Sequence, residues 1–238
     1  MQRHKENTMP EHPPQRPWYH QLAHAFTQHM YLKGIGTMLF IAIFFGAYFY
    51  LLKQPAFPIT VMPVTWLDRV IGFQPLAMPI YLSLWIYVSL PPALLASRRE
   101  LFHYGVAISI TCLAGLMVFF FWPTAVPTAD IDWALHPNIH FLKSIDMAGN
   151  AFPSLHVATA VFSCIWLHHL LRRFNAPRWL MGLNVLWGFG IIYSTLATHQ
   201  HVAVDVYGGI LLGGVTATLS LRHQRSVRKV DNARPAAN

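Results

Sequence analysis

The chain alternates long apolar stretches with short polar connections. A helix needs about 20 apolar residues to cross a hydrocarbon core of about 30 Å, and six stretches of the sequence meet that length. The pattern therefore predicts an all-α fold, a polytopic bundle of six membrane-spanning helices. The six stretches are Gly34 to Leu52, Leu76 to Ala96, Leu101 to Trp122, Pro153 to Leu171, Trp179 to Ala197 and Val202 to Leu221.

The segments before and after this bundle are polar. Residues 1–33 form a leader in which Leu22, Phe26 and Met30 recur at helical spacing, which fits a helix lying in the membrane interface and equally a disordered tail. Residues 34–221 form a single membrane domain, because no linker of different composition divides them. Residues 222–238 form a basic tail without periodicity, for which we expect no regular structure beside anionic headgroups.

Composition and charge distinguish this chain from soluble proteins and indicate its orientation in the membrane. The chain is 54% hydrophobic and 11% charged, with a formal net charge of +8, whereas soluble domains carry roughly 25% charged residues. Fourteen of the 17 Lys and Arg residues lie in the leader, the tail and alternate connections, and only Lys53, Arg69 and Lys143 lie in the others. Because cytoplasmic loops retain Lys and Arg, we expect both termini in the cytoplasm, the protein in the cell inner membrane, and no nucleic acid partner.

The first of two polar clusters on the outward, periplasmic side opens the fourth stretch. It reads G-N-A-F-P-S-L-H-V-A-T-A, from Gly149 to Ala160. We expect Pro153 in the first helical turn, where unpaired backbone N–H groups attract anions. Ser154 adds a hydroxyl donor and His156 a titratable nitrogen.

The second cluster spans the connection between the fifth and sixth stretches. It reads Y-S-T-L-A-T-H-Q-H-V-A-V-D-V-Y-G-G, from Tyr193 to Gly209. On a helix, His201 and Asp205 would share one face, so that the carboxylate holds one imidazole nitrogen and presents the other. Ionisable residues inside membrane spans are functional candidates. Each cluster alone also fits a structural cap or hydrogen bond, but the two together favour a phosphoryl-transfer site.

Other outward polar residues are less distinctive. Lys143 is the only Lys or Arg in its connection, where it either reaches a phosphate or anchors the interface. Asn150 either caps the fourth helix or touches substrate. Four more residues read as solvated or exposed: Asp130, Asp132, Asp146 and His199.

The motifs in these clusters resemble those of the type 2 phosphatidic acid phosphatase superfamily. Pro153, Ser154 and His156 match its Pro-Ser-x-His motif, and His201 and Asp205 match its His-x-x-x-Asp motif. The longer strings around the two motifs, N-A-F-P-S-L-H-V-A and S-T-L-x-T-x-Q-H-x-x-x-D, are most similar to the branch that includes inositol phosphorylceramide synthases. The resemblance covers roughly residues 122–209, and the family core also has six spans.

The chain departs from the family pattern at two positions. Thr195 follows Ser194 where the family commonly has Arg. The family's Lys and Arg-Pro motif has no clear copy, since Asn150 and Ala151 stand where Arg-Pro is expected, and the segment 122–127 looks like the branch's Pro-rich substitute. A site this poor in fixed cations suits a monoanionic phosphodiester better than a dianionic monoester.

The resemblance also implies roles for the site residues. His201 would be the nucleophile, oriented by Asp205, and His156 would be the general acid and then the base. The phosphate would be bound by groups of Ser154, Leu155, Lys143, Asn150 and Gln200. The implied substrate is a lipid phosphate, with no cofactor and no metal. If water accepts the phosphoryl group, the enzyme is a phosphatase. If the alcohol of a second lipid accepts it, the enzyme is a phosphotransferase.

Two other functions remain compatible with the residues. A metallohydrolase would use His156, His199, His201 and Asp205 as ligands, but the carboxylate-rich set that magnesium prefers is missing. A lipid-binding or transport protein would use the clusters only to grip a phosphate, although transporters place such sites near the bilayer midplane. The sequence specifies neither the lipid nor the oligomeric state.

Overall fold

The computed structural model describes residues 17–128 and 149–233, with side chains up to residue 226. Within these ranges the architecture is a helical bundle, in agreement with the predicted all-α class. The helices are α1 (Trp18–Thr27), α2 (Met30–Lys53), α3 (Trp66–Ile71), α4 (Met78–Leu82), α5 (Leu84–Ala93), α6 (Arg98–Phe121), α7 (Leu155–Arg173), α8 (Arg178–Ala197) and α9 (Ala203–Ala233).

Five segments of the described chain are long and apolar enough to cross a membrane. They are Met30–Lys53, Pro75–Ala93, Arg98–Phe121, Arg178–Ala197 and Ala203–Ser226. Each coincides with one of the six predicted spans. Their outer faces expose large apolar side chains such as Met38, Leu186 and Leu211, which a soluble surface would not tolerate in such number. The chain is a multi-pass membrane protein.

The fourth predicted span is present as helix α7 but is less apolar than the others. It packs against α5, α6, α8 and α9, and more than half of its residues are buried. Because neighbouring helices enclose it, polar residues such as Thr159 and Ser163 do not have to face lipid. The helix is confirmed, whereas its crossing of the membrane stays a prediction.

The second predicted span is broken rather than continuous. A 3₁₀ turn at Pro75–Ala77 leads into α4, and α5 follows after Ser83. The Ser83 hydroxyl donates to Ile80 O at 2.6 Å and accepts from Trp187 Nε1 at 2.8 Å, so that a side chain of α8 fixes the junction. Helix α5 contains two prolines and ends at Ala93, three residues before the predicted end of the span.

Helices α7 and α9 approach each other unusually closely. A Cβ atom at Gly213 would lie 2.2 Å from Ala158 O, and one at Gly209 would lie 2.5 Å from Ser154 O. Glycines four residues apart let two membrane helices come into backbone contact. The close approach brings the beginnings of both helices, and with them both polar clusters, together.

The leader contains helix α1, so its described part is not disordered. Lys33, buried at the start of α2, donates to Ala25 O and Ala93 O, each at 2.7 Å. The ammonium therefore joins the C-terminal ends of α1 and α5, where carbonyl groups lack helical partners. Whether α1 lies in the membrane interface stays a prediction.

Two departures from the predicted pattern remain. The tail was expected to lack structure after Leu221, but α9 continues to Ala233, because neither Gly nor Pro interrupts the chain between Gly214 and Pro235. The bundle also carries two short strands that pair in parallel, Thr60–Val61 and Thr124–Ala125. A bridge joins Ala125 to Gly149, which places the segment 122–127 beside the first cluster.

Candidate active site

Both polar clusters lie at one end of the bundle. The amide of Ser154, before α7, donates to Asp205 O in α9 at 3.0 Å. At the other end, Arg173 forms an ion pair of 2.8 Å with Glu100 at the start of α6. The arginine pairs at the start of α6 and at the end of α7 thus lie at the end of the bundle opposite to the two clusters, whereas Lys53 ends α2. The membrane side of each end stays a prediction.

A short series of side chains connects the two helices. His201 Nδ1 lies 3.5 Å from Asp205 Oδ2, and His201 Nε2 lies 3.2 Å from His156 Nδ1. His201 is 5% exposed and Asp205 is fully buried. The structure therefore brings together all three residues for which the sequence predicted a catalytic role.

The predicted helical pairing of His201 and Asp205 is wrong in one respect. Helix α9 begins at Ala203, so His201 precedes the helix and Asp205 lies in its first turn. The Asp205 carboxylate accepts the amide N–H of Val202 at 3.1 Å, an interaction that favours a helix start at this point. The two side chains nevertheless remain adjacent.

The contact between His201 and Asp205 is long for a hydrogen bond. Among the described residues, neither His201 Nδ1 nor Asp205 Oδ1 has a hydrogen-bond partner. Catalytic hydrogen bonds are often loose without substrate and tighten in the reactive complex. The 3.5 Å separation of His201 Nδ1 and Asp205 Oδ2 would have to shorten by a few tenths of an ångström to form a hydrogen bond.

Asp68 supports this arrangement and escaped the sequence analysis. Its Oδ1 accepts the amide N–H of Ala203 at 2.8 Å, and its Oδ2 accepts the amide and the hydroxyl of Thr65 at 2.7 and 2.8 Å. One carboxylate thus caps both α3 and α9. A lone aspartate in a connection carries no signal in the sequence that would reveal this double contact.

Helix α7 begins two residues later than predicted. Ser154, and not a residue before Pro153, is the N-cap, and its hydroxyl accepts the amide N–H of Val157 at 3.2 Å. A serine cap satisfies one orphan donor of the first turn, so Ser154 here acts as an acceptor toward its own helix. The side chain of Leu155 fills the space above Gly115, and its amide occupies the first helical position, which has no intrahelical acceptor.

The remaining predicted phosphate ligands differ in their surroundings. Asn150 is buried in a left-handed conformation with φ of 50°, and its amide donates to Tyr48 O at 3.1 Å, which favours a structural role. Gln200 is 5% exposed, and its Nε2 has no hydrogen-bond partner among the described residues, which suits a group that binds an anion. Lys143 lies outside the described residues, together with Asp130, Asp132 and Asp146.

Tyr81 belongs to the site although the sequence did not single it out. Its hydroxyl lies 2.8 Å from His156 Nε2, and the residue is 4% exposed. A tyrosine inside an apolar stretch is ordinary in membrane proteins. Its contact with His156 depends on how α4 packs, which periodicity does not reveal.

The position where the resemblance expects an arginine is used differently here. Thr195 is fully buried, and its hydroxyl donates to Ile192 O at 2.7 Å. Its carbonyl accepts the amide N–H groups of Gln200 and His201 at 3.0 and 3.1 Å. Thr195 thus fixes the turn that carries His201 and supplies no positive charge.

His199 stands next to the site in sequence and packs on an aromatic side chain. Its ring centroid lies 5.5 Å from that of Phe73. In the ranges 17–128 and 149–226, no group of three His, Cys, Asp or Glu side chains is arranged to hold a metal ion.

Comparison with known proteins gives one match. The family model described as PAP2 superfamily matches residues 101–229, which is more than half of the 238 residues. The matched region runs from α6 to α9 and contains both polar clusters. No curated protein and no solved structure matches the chain significantly.

Proposed function

This chain belongs to the PAP2 superfamily, and on that premise we propose that it is a membrane lipid phosphatase with a phospho-histidine intermediate. The family suggests a phosphatase-type activity on lipid phosphates. The observation that carries the finer proposal is the series Asp205, His201, His156, with separations of 3.5 and 3.2 Å. It supplies an oriented nucleophile facing a proton donor.

The first half of the reaction uses both imidazoles. His201 Nε2 attacks phosphorus with its lone pair, and the bond from phosphorus to the lipid oxygen breaks. The proton on His156 Nδ1 passes to that oxygen, so that the lipid leaves as a neutral alcohol. Asp205 stabilises the positive charge that develops on His201 as the phosphorus–nitrogen bond forms.

The second half returns the site to its starting state. His156 Nδ1 takes a proton from water while the water oxygen attacks phosphorus. The phosphorus–nitrogen bond breaks, its electron pair returns to His201 Nε2, and inorganic phosphate is released. In this proposal the backbone amide of Leu155 and the side-chain amide of Gln200, whose Nε2 has no hydrogen-bond partner among the described residues, bind the equatorial oxygens. Stabilisation of these oxygens is the main catalytic term in phosphoryl transfer.

A phosphotransferase is the second candidate, favoured by the shortage of fixed positive charge. Thr195 occupies the position at which the family pattern has arginine, and its hydroxyl and carbonyl groups form hydrogen bonds with the backbone of the chain. A phosphodiester carries one negative charge at neutral pH and a monoester nearly two, so a site with fewer cations suits the diester. The phospho-headgroup would then pass from His201 to the hydroxyl of a second lipid.

The proposed orientation places the site on the outward, periplasmic face of the inner membrane. Arg98 and Arg99 begin α6, Arg172 and Arg173 end α7, and Arg178 begins α8. All of these lie at the bundle end opposite to His201. The distribution of Lys and Arg supports a cytoplasmic location for that end.

The test compares the purified wild type with His201→Asn and His199→Asn in detergent with excess chelator. Phosphate release and headgroup exchange are measured for a panel of lipid phosphates. His199 is the matched control because it lies two residues away and the substitution is the same. Turnover that resists the chelator, is lost in His201→Asn and survives in His199→Asn supports the histidine mechanism, and the product separates phosphatase from transferase.

Two other outcomes would overturn the proposal. Turnover that disappears in chelator and returns with a divalent cation would point to metal chemistry. Lipid phosphate binding without turnover in the wild type, unchanged in His201→Asn, would point to a binding or transport protein.

A further inference from the structure

Four polar groups form a continuous series at the site. Tyr81 Oη lies 2.8 Å from His156 Nε2, and His156 Nδ1 lies 3.2 Å from His201 Nε2. His201 Nδ1 completes the series at 3.5 Å from Asp205 Oδ2. His156 thus has a polar partner at each of its nitrogens, whereas His201 Nδ1 faces Asp205 at ion-pair distance without a hydrogen bond.

The buried carboxylate determines the direction of these protons. The proposed function requires an ionised Asp205, which can only accept hydrogen bonds, and closure of the 3.5 Å contact would then place the proton of His201 on Nδ1. A neutral imidazole has one proton, and His201 Nε2 therefore bears a lone pair. The facing nitrogen, His156 Nδ1, must then be the donor, which leaves His156 Nε2 as an acceptor for the hydroxyl proton of Tyr81.

We propose that Tyr81 is a positioning residue of the reaction, which holds His156 in the Nδ1–H tautomer and so keeps the attacking nitrogen of His201 free of a proton. The proposal rests on the function proposed above. Tyr81 acts through His156 and needs no contact with the phosphate.

A hydroxyl suits this role because it both donates and accepts. For the first step, His156 takes up a second proton from solvent at Nε2, and this Nε2–H donates to Tyr81 Oη. After Nδ1 has given its proton to the leaving oxygen, the proton on Nε2 stays in that hydrogen bond. After the product has left, loss of that proton to solvent restores the neutral Nδ1–H form. Every proton transfer to or from the reacting oxygens is thereby directed through Nδ1, the nitrogen that faces His201.

The broken second span explains how Tyr81 is held in place. Tyr81 lies in α4, which packs against α8 and ends at the Ser83 junction. Trp187 of α8 donates to the Ser83 hydroxyl at 2.8 Å. This contact helps to fix the position of α4, and with it that of Tyr81, against α8.

The first test uses Tyr81→Phe, which removes only the hydroxyl, and Tyr87→Phe as a control. Tyr87 is a buried tyrosine of the same span whose hydroxyl donates to Asn184 Oδ1 at 2.7 Å and to no histidine of the described chain. We expect Tyr81→Phe to lower kcat about tenfold or more with little change in KM, as loss of an oriented acid–base group does. Tyr87→Phe should leave kcat near the wild-type value.

Two kinetic readouts separate positioning from a structural effect. With a nitrophenyl leaving group, which departs without a proton, the defect of Tyr81→Phe should shrink toward the wild-type rate. In a His156→Ala background, Tyr81→Phe should cause no further loss, because groups acting as a unit are not additive. An equal defect with both leaving groups, or full additivity, would overturn the proposal.

A third measurement does not depend on turnover. Imidazole ¹⁵N shifts of histidine-labelled protein, assigned with His156→Gln, report the tautomer directly. We expect the Nδ1–H tautomer of His156 in the wild type and its loss in Tyr81→Phe. An Nε2–H tautomer in the wild type refutes the role of Tyr81, whereas the expected tautomer with no turnover on any substrate refutes only the proposed function.

Discussion

A single methyl group on helix α9 should separate the two halves of the site. In Gly213→Ala, the new Cβ atom would lie 2.2 Å from Ala158 O and 2.9 Å from Ala158 C. Both atoms belong to the backbone of α7 and cannot rotate away. Gly214 is the matched control, since a Cβ atom there meets nothing within 4 Å.

The size of the effect follows from the geometry. Carbon and oxygen atoms approach to about 3.3 Å, so α7 and α9 must move apart locally by about 1 Å. Overpacking of this kind costs about 1–3 kcal/mol, while alanine gains up to about 1 kcal/mol over glycine in a helix. Gly213→Ala should therefore be destabilised on balance, and Gly214→Ala should be neutral or stabilised.

The displacement also reaches the chemistry. His156 lies on α7 and His201 immediately precedes α9, and their nitrogens are 3.2 Å apart. A misplacement of about 1 Å in a catalytic site can cost roughly 100-fold in rate. We expect Gly213→Ala to lose between about 10-fold and 100-fold in kcat/KM.

The assay is phosphate release by both variants, beside their thermal unfolding in the same detergent. Gly213→Ala should be slower and less stable than Gly214→Ala, which should resemble the wild type. If the two variants are equal in rate and in melting temperature, the close backbone contact does not hold the site together. Loss of rate with unchanged stability would show that packing affects the histidines alone.

Three further predictions test other parts of the structure. Lys33→Met should lower the melting temperature by several degrees, because it leaves two buried carbonyl groups without a donor at about 1–3 kcal/mol in all; Lys53→Met, at an exposed position, should not. Asp205→Asn should lower kcat by about 10²–10⁴-fold while the protein still elutes as a folded species. Gln200→Leu should raise KM for the lipid phosphate without loss of thermal stability, because it removes a buried amide that has no partner among the described residues; a marked drop in melting temperature would assign Gln200 to the fold instead.

The sequence predicted the parts of the site that depend on residue type and order. Pro-Ser-x-His and His-x-x-x-Asp each stand at the start of an apolar stretch, and the Lys and Arg pattern puts both starts on one side. Because the two helices that follow these starts pack directly against each other, the two starts meet. The proximity of His156 and His201 follows from these facts, and the structure confirms it, whereas the catalytic roles remain predictions.

The parts that escaped prediction depend on packing between distant segments. Tyr81 lies 75 residues before His156, and its stretch contains no polar pattern that would set it apart. Asp68 reaches Ala203 across 135 residues. Such contacts arise from how α3 and α4 dock on the bundle, and hydrophobic periodicity states only that a helix has an apolar face.

Local chemistry explains the errors in helix boundaries. Prediction placed Pro153 in the first turn of α7 because proline suits that position, but the Ser154 hydroxyl accepts an amide three residues on and starts the helix at Leu155. The sequence at Ser154 also fits a helix cap, and the hydroxyl is used in that way in the structure. In the tail, the basic sequence without periodicity predicts no regular structure. The helix nevertheless continues, because Arg, Gln and Lys are good helix formers.

The two helix beginnings at the site face different anionic groups. At the start of α9, the first amides donate to carboxylates, with Asp68 accepting from Ala203 and Asp205 accepting from the residue before it. The partial positive charge of α9 therefore stabilises the carboxylate that orients His201. The start of α7 carries the amide of Leu155 and no carboxylate in its first turn. Because Asp205 repels an anion, the proposed function requires the phosphate on the α7 side of His201, the side on which Nε2 lies 3.2 Å from His156 Nδ1. His201 Nε2, the proposed nucleophile, thus faces the helix start that can bind an anion. This agreement is the strongest physical reason to propose phosphoryl transfer at the site.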